Sequence, residues 1–295
     1  MKTKLKSKWV GVVAALVVIG IAWVWQQSTP PAFTVTFFNV GQGDAALVRT
    51  VAGQTILVDG GPDRTILSKL GAALPWGERT IDLVILSHPH ADHVSGLNYV
   101  LERYRVRQVL VTGAVHTTPE YLRFLELLKE QGLPVALARA GQTVELAGGV
   151  RVEVLWPQES FLGKEVPDLN ATSIVNRVVY GSTAVLFTGD TPEENESSLL
   201  ASGAEVEAQL LKVAHQGSRT SSSPAFLRAV SPQVAVISVG QNSYGHPHAE
   251  VVERLRELVP QVLRTDEEDD ITFMSDGQSF TRQRPHLPFL QFVLP

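Results

Sequence analysis

Apolar and polar positions alternate through Phe33-Thr34-Val35-Thr36-Phe37-Phe38, the pattern of a half-buried strand. Asn39-Val40-Gly41-Gln42-Gly43-Asp44 then reads as a glycine turn, and residues 45–50 and 54–58 read as a hairpin around Ala52-Gly53. The run 81–86 is apolar except for Asp82, which predicts a buried strand, and 94–104 has helical spacing. Further helices are predicted over 66–73, 119–131, 192–202, 224–230 and 249–258. Further strands are predicted over 107–111, 134–138, 150–155, 173–180, 185–187, 210–213, 234–238, 262–265 and 271–274. Strands in two runs, with helices between and after them, predict an α/β chain of αββα type: two sheets face to face with helices outside. No internal repeat is read in the sequence.

A different pattern precedes this. Residues 9–25 are unbroken apolar sequence, WVGVVAALVVIGIAWVW, with Trp9, Trp23 and Trp25 at the ends and Lys2, Lys4, Lys6 and Lys8 in front. At about 1.5 Å per residue the run is just long enough to span a bilayer. The lysines place the N-terminus on the cytoplasmic side and the rest outside. The expected organisation is a basic cytoplasmic segment 1–8, one transmembrane signal anchor 9–25, a linker 26–32, a globular domain 33–282 and a tail 283–295 whose apolar stretch docks on the domain. The alternative is a cleaved signal peptide and a secreted domain; residues 26–31 offer no good small-x-small cleavage site.

Composition narrows the chemistry. The 295 residues contain no cysteine, so any metal must use His, Asp, Glu or Asn. The formal net charge is −5, and without the four leading lysines the balance is 21 basic against 30 acidic residues. Such a balance disfavours non-specific nucleic-acid binding. Arg103, Arg105 and Arg107 are the one dense basic cluster of the domain.

The stretch Ser87-His88-Pro89-His90-Ala91-Asp92-His93 falls between the predicted strand 81–86 and the helix after it. Three imidazoles and a carboxylate on one tight loop suit divalent-metal ligation, and the bland alternative is a His-rich surface loop. Alternation places His88 and His90 on one side of an extended segment, while Asp92 and His93 turn toward a second point. Two ions roughly 3.5–4 Å apart would then share a water. Asp59, Asp190 and His215 lie in further polar loops after apolar strands. Their bland readings are a turn aspartate, a helix cap before Pro192 and a structural loop histidine.

The pattern H-x-H-x-D-H, complete here as His88, His90, Asp92 and His93, resembles the signature of the metallo-β-lactamase superfamily. The resemblance implies a fold of two mixed sheets flanked by helices. It also implies that Asp59 orients a ligand histidine, that Asp190 bridges two metals, and that His215 completes the second site. The first site would hold His88, His90 and Asp190; the second Asp92, His93, His215 and Asp190. No His occurs between His116 and His215, so the first site is one imidazole short, and Asn170 could offer a carbonyl oxygen. Asn170, Ser173 and His248 are candidate ligands or substrate contacts. His246 is a candidate catalytic residue beside Asp92.

The motifs Val40-Gly41-Gln42-Gly43-Asp44, Asp59-Gly60-Gly61, Ser87 to His93, Asn170-x-x-Ser173, Thr188-Gly189-Asp190, Lys212 to Ser218 and Gly245-His246-Pro247-His248 occur in this order. This set resembles the hydrolase domain of the ComEC family of bacterial competence proteins over about residues 33–280. That resemblance implies metal-dependent cleavage of phosphodiesters such as DNA by activated water, with Zn²⁺ or Mn²⁺ as cofactor. It also implies the competence or DNA-uptake machinery as partner. Gln216 stands where that family often has a second His, and Asp269-Asp270 stand where Gly-Ala is common; one apolar run replaces a polytopic channel. Two other readings stay open: a cell-surface hydrolase of small esters, phosphoesters or lactams, and a non-catalytic, metal-stabilised binding domain.

Overall fold

The computed structural model describes residues 32–283 together with Val17 and Gly20, both helical. The remainder of the expected anchor 9–25, and the tail beyond Gln283, lie outside the described residues. Among the described residues no helix is long and apolar enough to cross a membrane.

Strands β1 (Phe33–Phe37), β2 (Ala46–Arg49) and β3 (Thr55–Val58) form an antiparallel meander. There follow α1 (Thr65–Ala73), β4 (Thr80–Ile81), β5 (Leu83–Ile85), α2 (Ala91–Arg103), β6 (Arg105–Val106), β7 (Val109–Val111), α3 (Pro119–Glu130) and β8 (Val135–Leu137). β5 adds to β3 in parallel, β7 to β5 and β8 to β7, with the helices as crossovers. The second half repeats this scheme. β9 (Thr143–Leu146), β10 (Val150–Trp156), β11 (Val175–Tyr180) and β12 (Thr183–Phe187) pair antiparallel. After α4 (Glu193–Ala201), strands β13 (Leu210–Lys212), β14 (Val234–Ile237) and β15 (Gln261–Arg264) add in parallel across α5 (Pro224–Val230) and α6 (Ala249–Leu258). One turn of helix, α7 (Thr265–Glu268), leads to β16 (Ile271–Ser275) and β17 (Phe280–Gln283), which return to the first sheet beside β1. The sheets therefore hold eight and seven strands.

Period-two burial sorts the apolar residues into layers. Phe33, Val35 and Phe37 of β1 share one buried cluster with Val150, Val152 and Val154 of β10 and Phe187 of β12, between the sheets. Leu47, Leu57 and Val84 turn the other way, onto Leu70, Leu97 and Phe124 of α1, α2 and α3. Leu186, Leu211 and Ile237 likewise pack on Leu199, Phe226 and Leu255 of α4, α5 and α6. The αββα sandwich expected from the sequence is the observed fold.

The differences have local causes. The expected strand 81–86 divides at Asp82, whose Oδ2 accepts the Thr55 N–H at 2.8 Å, so β4 pairs with β6 and β5 with β3. β9 and β17 escape the pattern because only Val144 and Leu146 of the one and Phe280 of the other turn an apolar side chain to the core.

Register defines two poles. Thr34 faces Arg49, Arg49 faces Thr55, and Ile56 pairs with Leu83, so β1, β3 and β5 all begin at one pole. At the other pole β3 and β5 run out into Asp59 and His88, and β12 and β13 into Asp190 and His215. The candidate residues thus gather at the carboxyl ends of parallel strands, where open α/β sheets hold ligands.

Glu196 on α4 ties this second half together. It is fully buried, and its two oxygens accept the Ser222 and Ser223 N–H groups at 2.6 and 2.8 Å. Ser223 in turn caps α5, its Oγ accepting the Phe226 N–H. Glu196→Gln replaces one acceptor by a donor and leaves one buried N–H unmet, a cost of about 1–3 kcal/mol. The melting temperature is expected to fall by roughly 5 °C. An unchanged melting temperature would show that those N–H groups find other acceptors.

Candidate metal centre

Three loops at the pole that holds Asp59 and His88 are laced by backbone hydrogen bonds. Asp44 N–H donates to the Asp92 carbonyl at 3.2 Å, Gly61 N–H to Asp44 at 2.8 Å, Gly60 N–H to His93 at 2.8 Å and Gly96 N–H to Gly61 at 2.9 Å. The glycines permit this approach: a Cβ on Gly96 would overlap the Gly60 carbonyl, and one on Gly43 the Asp92 carbonyl. Asp59, His215 and Gln216 hold φ of 58°, 50° and 48°, left-handed conformations that non-glycine residues rarely adopt and that cost about 1–3 kcal/mol each. The strain falls on residues that face the centre.

His90 caps α2, and Asp92 and His93 lie in that helix's first turn. His88 and His93 are fully buried, with ring centroids 4.2 Å apart. His93 Nδ1 donates to Asp59 Oδ2 at 2.9 Å, and Asp59 Oδ1 accepts the Ser87 N–H at 2.7 Å. One carboxylate fixes both the ring and the loop, and leaves His93 Nε2 turned inward. There a single atom, Asp190 Oδ2, lies 3.4 Å from His93 Nε2, 3.7 Å from His215 Nε2 and 3.8 Å from His88 Nε2. His90 Nδ1 stands 2.9 Å from His88 Nε2 on the same side. Asp92 Oδ2 is 3.6 Å from His93 Nε2.

Burial, with His93 beside it, holds His88 well below the usual imidazole range, which leaves it neutral. Burial works against a charge on His93 as well, but Asp190, Asp92 and Asp59 outweigh it and hold that ring well above its ordinary value. Burial opposes the Asp190 charge too, yet His93, His88 and Lys212 keep its carboxyl well below the usual range.

Ser173 lies beneath the centre rather than in it. It is buried, and its Oγ accepts the Asp190 N–H at 3.0 Å. Asn170 sits in a one-turn helix, Leu169–Thr172, and lines the cleft with a buried, unpartnered Oδ1. His246 lines the cleft with its ring centroid 5.3 Å from that of His215. Burial, His215 and His248 push its pKa down to about 4. His248 caps α6 and packs against His246, their centroids 5.0 Å apart. The cleft measures about 720 Å³ and is also lined by His90, His116, His215 and Tyr244; none of its lining side chains is a lysine or arginine.

The sequence reading assigns no role to two charged residues that the structure puts here. Lys212, buried at the end of β13, forms an ion pair with Asp44, donates to the Gly189 carbonyl at 3.2 Å and stands 3.9 Å from Asp190 Oδ1. Burial works against the charge on Lys212, but Asp44 and Asp190 hold its pKa above the usual range. The available signal is a lysine inside the apolar run Leu210-Leu211-Lys212-Val213. Gln216 donates to Asp92 Oδ2 at 3.2 Å and accepts from Gln42 at 2.9 Å, so it positions Asp92.

Residues 38–241 match the sequence profile of the metallo-β-lactamase superfamily. The chain belongs to that superfamily. Competence protein ComA of Neisseria gonorrhoeae is 36% identical over 239 residues, 79% of this chain and 31% of that protein. ComE operon protein 3 of Bacillus subtilis is 26% identical over 265 residues, 81% of this chain and 32% of that protein. The chain thus spans about a third of the length of these curated relatives. Igni18, a metallo hydrolase of Ignicoccus hospitalis, superposes with a TM-score of 0.55 at 18% identity over 82% of this chain and 99% of that one, a likeness of fold. Membership in the superfamily implies a metal-dependent hydrolase that binds divalent ions, and the residues fit. His88, His93 and Asp190 offer ligand atoms within 4.8 Å of one another, and Asp190 Oδ1 and Asn170 Oδ1 are buried without hydrogen-bond partners.

Proposed function

We propose that this superfamily member hydrolyses phosphodiester bonds with two divalent ions, one held by His88, His90 and Asp190 and one by Asp92, His93, His215 and Asp190. The observation that carries the reading is the convergence of three imidazole Nε2 atoms on Asp190 Oδ2. When bound, such ions acidify a water and offset the charge that develops on phosphoryl oxygens. The chain's residues do the rest. Asp59 holds the His93 tautomer, and Ser173 and Lys212 fix the Asp190 turn. His246 is neutral, with Nδ1 unpartnered, and presents a hydrogen-bonding group to a substrate oxygen. With no lysine or arginine in the lining, phosphate charge falls to the ions and the imidazoles, so activity should depend weakly on salt. That lining also suits a small phosphoester, the second reading.

The domain is read as tethered at the cell surface by residues 9–25, with DNA as the polymeric substrate and DNA uptake as the setting; the competence relatives support this. The test uses the whole chain on linear DNA and on bis(p-nitrophenyl) phosphate, with the ions supplied in parallel. Cleavage of the small diester but not of DNA would leave the second reading; cleavage of neither would refute both.

Metal preference follows from the donor set. An amide oxygen in place of an imidazole suits Mn²⁺ better than Zn²⁺. Metal-stripped protein is therefore expected to regain more turnover with Mn²⁺ than with Zn²⁺, and Asn170→His to shift the preference toward Zn²⁺. Equal activation of the unaltered protein by both ions, or no shift in the variant, would remove Asn170 from the ligand set.

A further inference from the structure

Trp76 is 94% exposed, on the turn between α1 and β4. A tryptophan left in water is unusual, because burying such a side chain is worth several times RT. Its surroundings are basic. Arg79, three residues on, packs over the Tyr104 ring at 5.3 Å and donates to the Tyr104 hydroxyl at 3.3 Å. Arg105 N–H donates to the Arg79 carbonyl at 2.7 Å, which brings β6 and its neighbour Arg103 to the same turn. Arg79, Arg103 and Arg105 are all exposed.

The acidic side chains nearby are engaged. Asp82 faces Arg107 at 3.4 Å, Glu102 faces Arg123 at 3.5 Å, and Glu78 accepts the N–H groups of Arg79 and Thr80. Elsewhere at this pole lie exposed Glu205, paired with Arg177 at 2.8 Å, and exposed Asp276 in the turn after β16.

Place and chemistry point to one partner. The turn stands at the pole where β1 begins, because Thr55 N–H bonds to Asp82 and the Thr55 hydroxyl to the Thr80 carbonyl. The amino-terminal end of the domain, at Ala32, therefore lies on this face, opposite the cleft. A protein partner would call for a contiguous apolar patch, whereas a lone exposed tryptophan on a turn that also carries exposed arginines suits the headgroup layer of a bilayer.

We propose that Trp76 with Arg79, Arg103 and Arg105 forms a lipid-docking face that seats the domain on an anionic bilayer with the cleft turned away from it. The inference rests on the membrane-tethered reading of residues 9–25 given above.

The absence of native cysteine allows a clean test. The whole chain, carrying Pro75→Cys or Ser243→Cys labelled with an environment-sensitive fluorophore, is reconstituted with vesicles containing anionic or only zwitterionic lipid. Flotation with the vesicles after alkaline extraction tests the tether; failure to float sinks the tethered reading and the docking face with it. In chain that floats, the label at position 75 should shift to the blue in anionic vesicles and that at 243 should not. Trp76→Ala should abolish the shift. Arg103→Gln with Arg105→Gln should lower the docked-to-undocked ratio by about fivefold per arginine removed. Chain that floats with no shift at 75, or with the shift at 243, overturns the docking face and leaves the tether standing.

Discussion

Asp190→Ala is expected to lower phosphodiester turnover by about 1000-fold or more, at or above the upper end for removing one group that stabilises charge in a transition state. The reason is the position of one atom. Asp190 Oδ2 is the common neighbour of His88, His93 and His215, so its removal opens both proposed sites at once. Bound metal should drop with the rate, measured by elemental analysis after dialysis against limiting ion. His246→Ala supplies the contrast. That ring faces the cleft beside His215, and its loss should slow turnover while leaving metal content unchanged. Full metal occupancy and activity in Asp190→Ala would end the two-ion reading, and metal loss in His246→Ala would make His246 a ligand.

Lys212→Met is expected to destabilise the fold by about 3–5 kcal/mol, because burial already pushes the Asp44 carboxyl up to about 7, and without its cation folding must either strand that charge or take up a proton. For a chain of this size the melting temperature should fall by on the order of 10 °C. Asp44→Asn should cost less, since Lys212 keeps the Gly189 carbonyl and Asp190 as neighbours. The double variant should recover part of the loss, because removing both members of a buried ion pair spares the desolvation of the survivor. Thermal unfolding of the three variants in metal-free buffer separates this from metal loss. Strictly additive losses would show that Lys212 and Asp44 do not act as a pair.

The layers of the fold and the His88–His93 ligand run are legible in the sequence for one physical reason: their information is local. Alternation places Val35 and Phe37 on the inter-sheet face, and four ligand candidates stand within six residues. What hides is what depends on distant partners. Lys212 and Asp44 meet across 168 positions, and no local pattern announces a buried ion pair. Ser173, grouped with Asn170 by sequence proximity, lies under the Asp190 turn, because only one of the two faces the cleft. β9 and β17 hide because so few apolar residues mark their inner side, Val144 and Leu146 in β9 and Phe280 alone in β17. The cluster Arg103, Arg105 and Arg107 is legible as basic, but that it stands at the pole away from the cleft follows only from the pairing of β6 with β4.

The return of β16 to β1 sets a timetable for synthesis. β1 is the first strand of the domain to leave the ribosome, yet one of its two edges is covered by Ile271–Ser275, made more than 230 residues later. Through that interval the backbone groups of Phe33–Phe37 on that side have no strand to pair with, and they form an open edge on a chain still growing. The eight-stranded sheet is finished only by the last two strands of the domain to be made, so chains that stop before Ile271 carry the whole candidate metal centre and still expose the edge that invites aggregation.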